Sequence, residues 1–162
     1  MAIPSASGGA AAKVSPEGMS IIGEWSGRGE NVAGTFKACA TFASYMDNTH
    51  LHLNYRTHFD KPGKLSDQKA ESFYFMLDDG TFEGVSLDNQ SNVFQLGGKY
   101  GDDALSGQWF KNGKVVGKSE WRLSEDSKKI SYIRYGLLPS GEFKEIGQVL
   151  LEKLPAGKSC QK

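Results

Sequence analysis

Gln108-Trp109-Phe110-Lys111-Asn112-Gly113-Lys114-Val115-Val116-Gly117 is the stretch on which the fold turns. An Asn-Gly pair stands between two short runs rich in aromatic and β-branched residues. Asn and Gly both tolerate positive φ, so a two-residue turn here joins two antiparallel strands whose twist it matches. Lys111 then faces Lys114 across the hairpin. The same grammar recurs along the chain. Asp79-Gly80 separates Tyr74-Phe75-Met76-Leu77 from Phe82-Glu83-Gly84-Val85, and Asp47-Asn48, Glu125-Asp126-Ser127 and Pro139-Ser140-Gly141 punctuate other alternating runs.

Ten strands follow from this punctuation: 21–30, 34–46, 49–59, 70–78, 81–88, 91–97, 103–110, 115–124, 129–138 and 142–152. No segment between 20 and 152 keeps a helical period, although Ser15-Pro16-Glu17 has the form of a capped helical turn. A meander of this length would expose two edge strands unless it closed on itself. The expected fold is therefore all-β: one antiparallel up-and-down barrel of about eight to ten strands. A short N-terminal helical turn or flexible tail would flank one end. The expected organisation is a flexible tail over 1–18, a barrel over 19–154 and a second flexible tail over 155–162; residues 60–68 form the longest internal loop.

Bulk composition narrows the function classes. A chain of 162 residues can bury a sizeable core as one domain. Nineteen basic residues balance nineteen acidic ones, so there is no cationic field to hold nucleic acid or an anionic membrane surface. No apolar run approaches a membrane span. The first residues lack the basic and apolar regions of a signal peptide, which points to a soluble cytoplasmic protein. The two cysteines are too few for a disulfide framework. Cys39 lies in a strand and reads as a buried thiol; a bridge from it to Cys160 in the tail is the alternative.

The opening of the first strand, Gly23-Glu24-Trp25-Ser26-Gly27-Arg28-Gly29, resembles the calycin superfamily of lipocalins and fatty-acid-binding proteins. It is also similar to small bacterial lipocalin-like domains of unknown function and to the haem-binding nitrobindins. The resemblance implies a lipocalin-like barrel closed at its bottom by Trp25, with an Arg or Lys from the last strands packed across the indole. Arg134 is the best match for that cation and Arg122 the second. The Thr-Asp-Tyr motif of lipocalins is absent, ten strands exceed the lipocalin eight, and no histidine follows His58 to match a nitrobindin haem ligand.

Alternation assigns faces. Val115, Gly117, Ser119, Trp121 and Leu123 share one face, taken as inward. Regular pairing from the Asn112-Gly113 turn then brings Ala104, Ser106, Gln108 and Phe110 inward as well; the alternative puts Leu105 and Trp109 there instead. Ile130, Tyr132 and Arg134 share a face, and Phe143, Glu145, Gly147, Val149 and Leu151 share another, which puts Arg134 near Glu145. Small and polar residues on an inner face suggest a cavity. An interior Arg needs an acceptor, found in Glu145, in stacking on Trp25 or in an anionic ligand.

All three histidines lie in His50-Leu51-His52-Leu53-Asn54-Tyr55-Arg56-Thr57-His58-Phe59. At about 3.3 Å per residue, His50 and His52 stand roughly 6.6 Å apart and His58 about 20 Å beyond His52. The strand alone therefore holds no three-histidine metal centre, and His50 with His52 would need a third ligand from a neighbour. Either the Leu51-Leu53-Tyr55-Thr57-Phe59 face points inward, or the polar face does. The polar face inward would provide an acid–base site, with His52 or His58 moving protons and Arg56 holding an anion.

Two functions follow. The favoured one is binding of a small, mostly apolar ligand with a polar or anionic group inside the barrel, through Arg134, Tyr132, Trp121, Gln108, Tyr55 and Tyr74. The alternative is a small cofactor-independent isomerase, cyclase or lyase using His52, His58 and Arg56 as catalytic residues. No cofactor and no metal are expected. The expected partner is a small molecule, with a second copy of the chain as a further possibility and neither nucleic acid nor membrane among the partners.

Overall fold

The computed structural model describes residues 15–61 and 67–160. A single 3-10 turn, Pro16–Gly18, precedes ten strands: β1 (Gly23–Asn31), β2 (Gly34–Tyr45), β3 (His50–Phe59), β4 (Lys69–Met76), β5 (Thr81–Asp88), β6 (Val93–Tyr100), β7 (Ala104–Lys111), β8 (Lys114–Leu123), β9 (Lys129–Leu137) and β10 (Phe143–Lys153). Each strand pairs antiparallel with its neighbours in sequence, and β1 pairs with β10, which closes the barrel. Closure removes both edges that the meander would otherwise expose. The all-β barrel expected from the turn grammar is the fold observed. Among the described residues no helix is long and apolar enough to cross a membrane.

Asn112 and Gly113 both have positive φ, 53° and 75°, and Lys111 pairs with Lys114, as a tight mirror-image turn requires. Asp79-Gly80 behaves differently. Only Gly80 is left-handed, at 80°, and the loop widens to four residues closed by Leu77 N–H on the Thr81 carbonyl, 2.9 Å. The Asp79 carboxylate accepts the Thr81 N–H at 2.9 Å, securing the far side. Gly97 and Gly98 lie inside β6. A Cβ at Gly98 would sit 2.1 Å from the Ser106 carbonyl and 2.9 Å from the Phe82 ring. The glycine there serves a close approach within the sheet, not a bend.

The 3-10 turn covers the bottom of the barrel. Pro16, Met19 and Ile21 are buried there beside Trp25, whose indole N–H donates to the Ile21 carbonyl at 2.9 Å. The cation over Trp25 is Lys153, with Nζ 5.2 Å from the ring centre; the same ammonium donates to the Ser20 carbonyl at 3.3 Å. This corrects the assignment of Arg134 and Arg122 to that place. Arg134 stacks elsewhere and Arg122 is exposed on the outer face. Lys153 ends the last strand, so its long stem reaches back under the barrel floor.

Above the floor the interior is aromatic. Phe42 meets Trp121 edge-on at 5.1 Å, Tyr55 meets Tyr132 at 5.5 Å, and Trp121 stacks on Tyr132 at 3.7 Å. Large rings suit a ten-stranded barrel, whose bore is wider than aliphatic side chains alone would fill.

Cys39 and Cys160 form a disulfide, which overturns the reading of Cys39 as a buried free thiol. Cys39 is on the outward face of β2 and half-buried. Cys160 also donates its N–H to the Glu24 carboxylate at 3.0 Å. Residues 155–160, expected to form a free tail, are thus fastened to the outside of β1 and β2. The N-terminal residues expected as a flexible tail, 1–14, lie outside the described residues, as do 62–66 of the long loop.

Candidate functional site

The candidate site lies in the half of the barrel away from Trp25, where β1, β3, β5, β7 and β9 end. Two β-bulges decide its lining. In the β7–β8 hairpin Phe110 pairs with Val115, but Trp109 pairs with Gly117. Val116 is the extra residue, and it is exposed. Gly117, Ser119, Trp121 and Leu123 keep the inward direction that alternation gave them. Beyond the bulge, however, the partners of β8 shift by one, so Leu105, Gly107 and Trp109 turn inward. Ser106 and Gln108 are exposed on the outer face. The placement of Gln108 in the ligand cavity is corrected: a one-residue slip exchanges the two faces of a strand.

The second bulge lies at Ile146. Glu145 pairs with Tyr135 and Gly147 with Arg134. Glu145 therefore stands on the outside with Tyr135 and is exposed, and it does not partner Arg134. None of the ion pairs among the described residues includes Arg134. Its guanidinium lies 4.6 Å from the Trp109 ring centre, an attraction between a cation and an aromatic face. Its Nε is buried and has no hydrogen-bond partner among the described residues.

Tyr55, Tyr74, Trp121, Tyr132 and Arg134 border one cavity of about 70 Å³. Its floor and walls carry hydroxyls. Ser72 donates to Ser86 at 2.8 Å, and the Trp109 indole donates to Ser119 at 3.1 Å. A second cavity of about 160 Å³ opens outward, bordered by Val32, Phe36, Ile146 and Val149. Gln68, Tyr55, Tyr132 and Arg134 border both cavities. Asp88 lies at the rim of the inner one. Burial opposes its charge, but hydrogen bonds from Asn92 and Gln90 and the nearby Arg134 outweigh burial and hold its carboxyl below the usual range. Two of these bonds, Gln90 N–H and Asn92 N–H to Oδ1, are 2.9 Å each, so the carboxylate is committed to its own turn.

Burial raises the Tyr55 phenol far above its ordinary range, with Tyr132 adding to the effect and Arg134 opposing it. Burial raises Tyr74 and Tyr132 as well. All three phenols thus remain neutral and able to donate a hydrogen bond throughout the neutral pH range.

The histidine strand faces the other way. Leu51, Leu53, Tyr55, Thr57 and Phe59 are buried, whereas His52, Arg56 and His58 are on the outer surface. His52 stacks on Phe73 at 4.7 Å and meets Glu71 at 2.5 Å. His58 meets Asp67 at 2.8 Å, and Arg56 donates to Asn54 at 3.2 Å. The alternative with the polar face inward, and with it His52, His58 and Arg56 in the cavity, is corrected, because burying the five residues of the apolar face outweighs burying an imidazole and a guanidinium. Among the described residues no three metal-ligating side chains converge, and His50 is next to Thr49 and Phe75 instead.

Sequence reasoning missed Ser72, Ser86, Asp88 and Gln68 as lining residues. Alternation from Tyr74 places Ser72 inward, a signal that was legible. Trp109 was legible only as the alternative face of β7, since the bulge leaves no mark in composition.

No family model matches this chain, and no curated protein matches it. Among solved structures it is similar to the crystal structure of Rv2717c from M. tuberculosis, with a TM-score of 0.64 and 14% sequence identity over 84% of this chain and 94% of that one. That likeness is one of fold.

Proposed function

We propose that the barrel binds a small, mostly apolar ligand carrying an anionic group, with Arg134 as the anchor. One observation carries this reading. Arg134 is a cation inside a barrel, stacked on Trp109 and without a carboxylate partner among the described residues, and its Nε is buried and unpaired. An unpaired buried donor costs about 1–3 kcal/mol, and more when charged. A fold retains such a group at a profit only where something else completes it. Closed antiparallel barrels commonly enclose ligands, and the phenols of Tyr55 and Tyr132 border the same space as further donors.

The test is a titration followed by tryptophan fluorescence, since Trp109 and Trp121 both border the cavity. Sodium octanoate is compared with 1-octanol on the native chain and on Arg134→Met, which keeps the length of the side chain and removes its charge. The acid is expected to bind at least tenfold more tightly than the alcohol, and Arg134→Met to erase that preference. Equal binding of acid and alcohol would refute the assignment.

A further inference from the structure

The two cavities meeting at Arg134 differ in size, and that difference selects both a ligand and its orientation. The inner cavity, about 70 Å³, has room for roughly two waters at their liquid volume. The stacked Trp121 and Tyr132 and the edge-on Tyr55 narrow the bore there. The outer cavity, about 160 Å³, is close to the roughly 150 Å³ in which an apolar protein cavity holds one benzene ring. Val32, Phe36, Ile146 and Val149 give its collar an apolar share that a ring can cover, beside the polar Asn31 and Gln148. Both fall below the roughly 300 Å³ at which sites for drug-sized ligands begin.

One glycine borders this collar. Gly147 is the β10 partner of Arg134, and a Cβ there would stand 3.1 Å from that of Asn31. On the opposite side of Arg134, Ser119 is its β8 partner and presents a hydroxyl to the inner cavity. The hydroxyls of Ser72, Ser86 and Ser119 therefore lie inward of the guanidinium, and the side chains of Val32, Phe36 and Ile146 lie outward of it.

Resting on the anionic-ligand reading above, we propose that the site takes a one-ring aromatic carboxylate, head first. The carboxylate sits at Arg134 with its second face toward the hydroxyls of the inner cavity, and the ring fills the collar. A long-chain lipid gains little there, because everything beyond about one ring's volume would trail into solvent. A guanidinium already stacked on an indole offers its edge, and a planar carboxylate matches that edge with two parallel hydrogen bonds.

The experiment is isothermal titration of the full chain with benzoate, benzyl alcohol, 2-naphthoate and palmitate, repeated on Arg134→Met and Ile146→Ala, with circular dichroism showing each variant folded. Benzoate is expected to bind at least tenfold more tightly than benzyl alcohol, and to lose that advantage in Arg134→Met. 2-Naphthoate is expected to bind at least tenfold more weakly than benzoate to the native chain and to recover in Ile146→Ala, where the collar is wider. Palmitate is expected not to bind. Arg134-dependent binding of palmitate tighter than that of benzoate overturns the size and orientation inference while leaving the anionic-ligand reading in place. Equal binding of benzoate and benzyl alcohol, or unchanged benzoate binding in Arg134→Met, overturns both. So does the absence of heat from every probe.

Discussion

Gly29 occupies an inward position of β1, and the space beside it is already filled. A Cβ there would lie 2.5 Å from the Gln148 carbonyl, 2.7 Å from Val149 and 2.9 Å from Phe36. Gly27 is packed as closely against the Leu150 carbonyl. The glycines after Trp25 are thus the condition for β10 to approach β1 and close the barrel. Gly29→Ala is expected to lower stability by about 2–3 kcal/mol, the cost of overpacking, read as a drop in the urea midpoint at unchanged slope. The buried phenols give a second prediction. The unfolded-state phenol ionises near 10, while Tyr55, Tyr74 and Tyr132 are raised above that in the fold. Their contribution to stability is therefore complete below about pH 10 and declines as pH rises further, because only the unfolded chain releases those protons. Absorbance at alkaline pH should show these three tyrosines ionising together with unfolding, whereas a reversible titration of all six near pH 10 would contradict their burial. Trp25 and Arg134 mark how far single residues could be read. The Gly-x-Trp start pointed to a closed bottom. Which cation crosses the indole depended on where β10 ends, and it is Lys153.

Strand pairing is where the reading of β7 went astray. Counting back from Asn112-Gly113 is correct for Lys111 with Lys114 and Phe110 with Val115, and fails at the next pair because Val116 is inserted. Phe110 and both Val115 and Val116 then lie away from the cavity side occupied by Trp109 and Gly117. Removing Val116 would pair Trp109 with Gly117 regularly and leave every inward residue of both strands where it is. Deletion of Val116 is accordingly expected to preserve the fold with a loss of no more than about 1 kcal/mol, while deletion of Lys118 inverts the lower half of β8 and abolishes it. Thermal melts of the two deletions decide the matter. The β3 strand was simpler, since its alternation is unbroken and its Leu51-Leu53-Tyr55-Phe59 face is the more apolar by a wide margin. Its outward rings pair across strands, His52 with Phe73 at 4.7 Å and His50 with Phe75 at 5.0 Å, the ordinary stabilising unit of a sheet surface.

For the molecule as a whole, the Cys39–Cys160 bridge encloses 121 residues of sequence separation, and thereby nearly the entire barrel. Closing a loop of that order restricts the unfolded chain, and loss of a native bridge costs about 2–5 kcal/mol. Reduction, or Cys160→Ser, is expected to lower the melting temperature by several degrees while leaving the circular dichroism of the barrel unchanged. The native chain should show no free thiol when denatured without reductant. Disulfides persist in oxidising compartments, so the thiol count of the protein taken from its own cell also bears on the expected cytoplasmic location. The barrel itself was legible in the sequence because it rests on local signals: positive-φ turn residues, period-two alternation and the rule that a long meander must bury its edges. The inward rings of β3, β8 and β9 follow from the same periodicity, so Tyr55, Trp121, Tyr132 and Arg134 could be brought to one interior before any coordinates. Tertiary structure alone decided what Arg134 faces. Two inserted residues, Val116 and Ile146, turn Trp109 in and Glu145 out, and an insertion changes register without changing local propensity. It likewise decided the disulfide, since two thiols 121 residues apart meet only once the sheet has closed and brought the end of β10 beside β1 and β2.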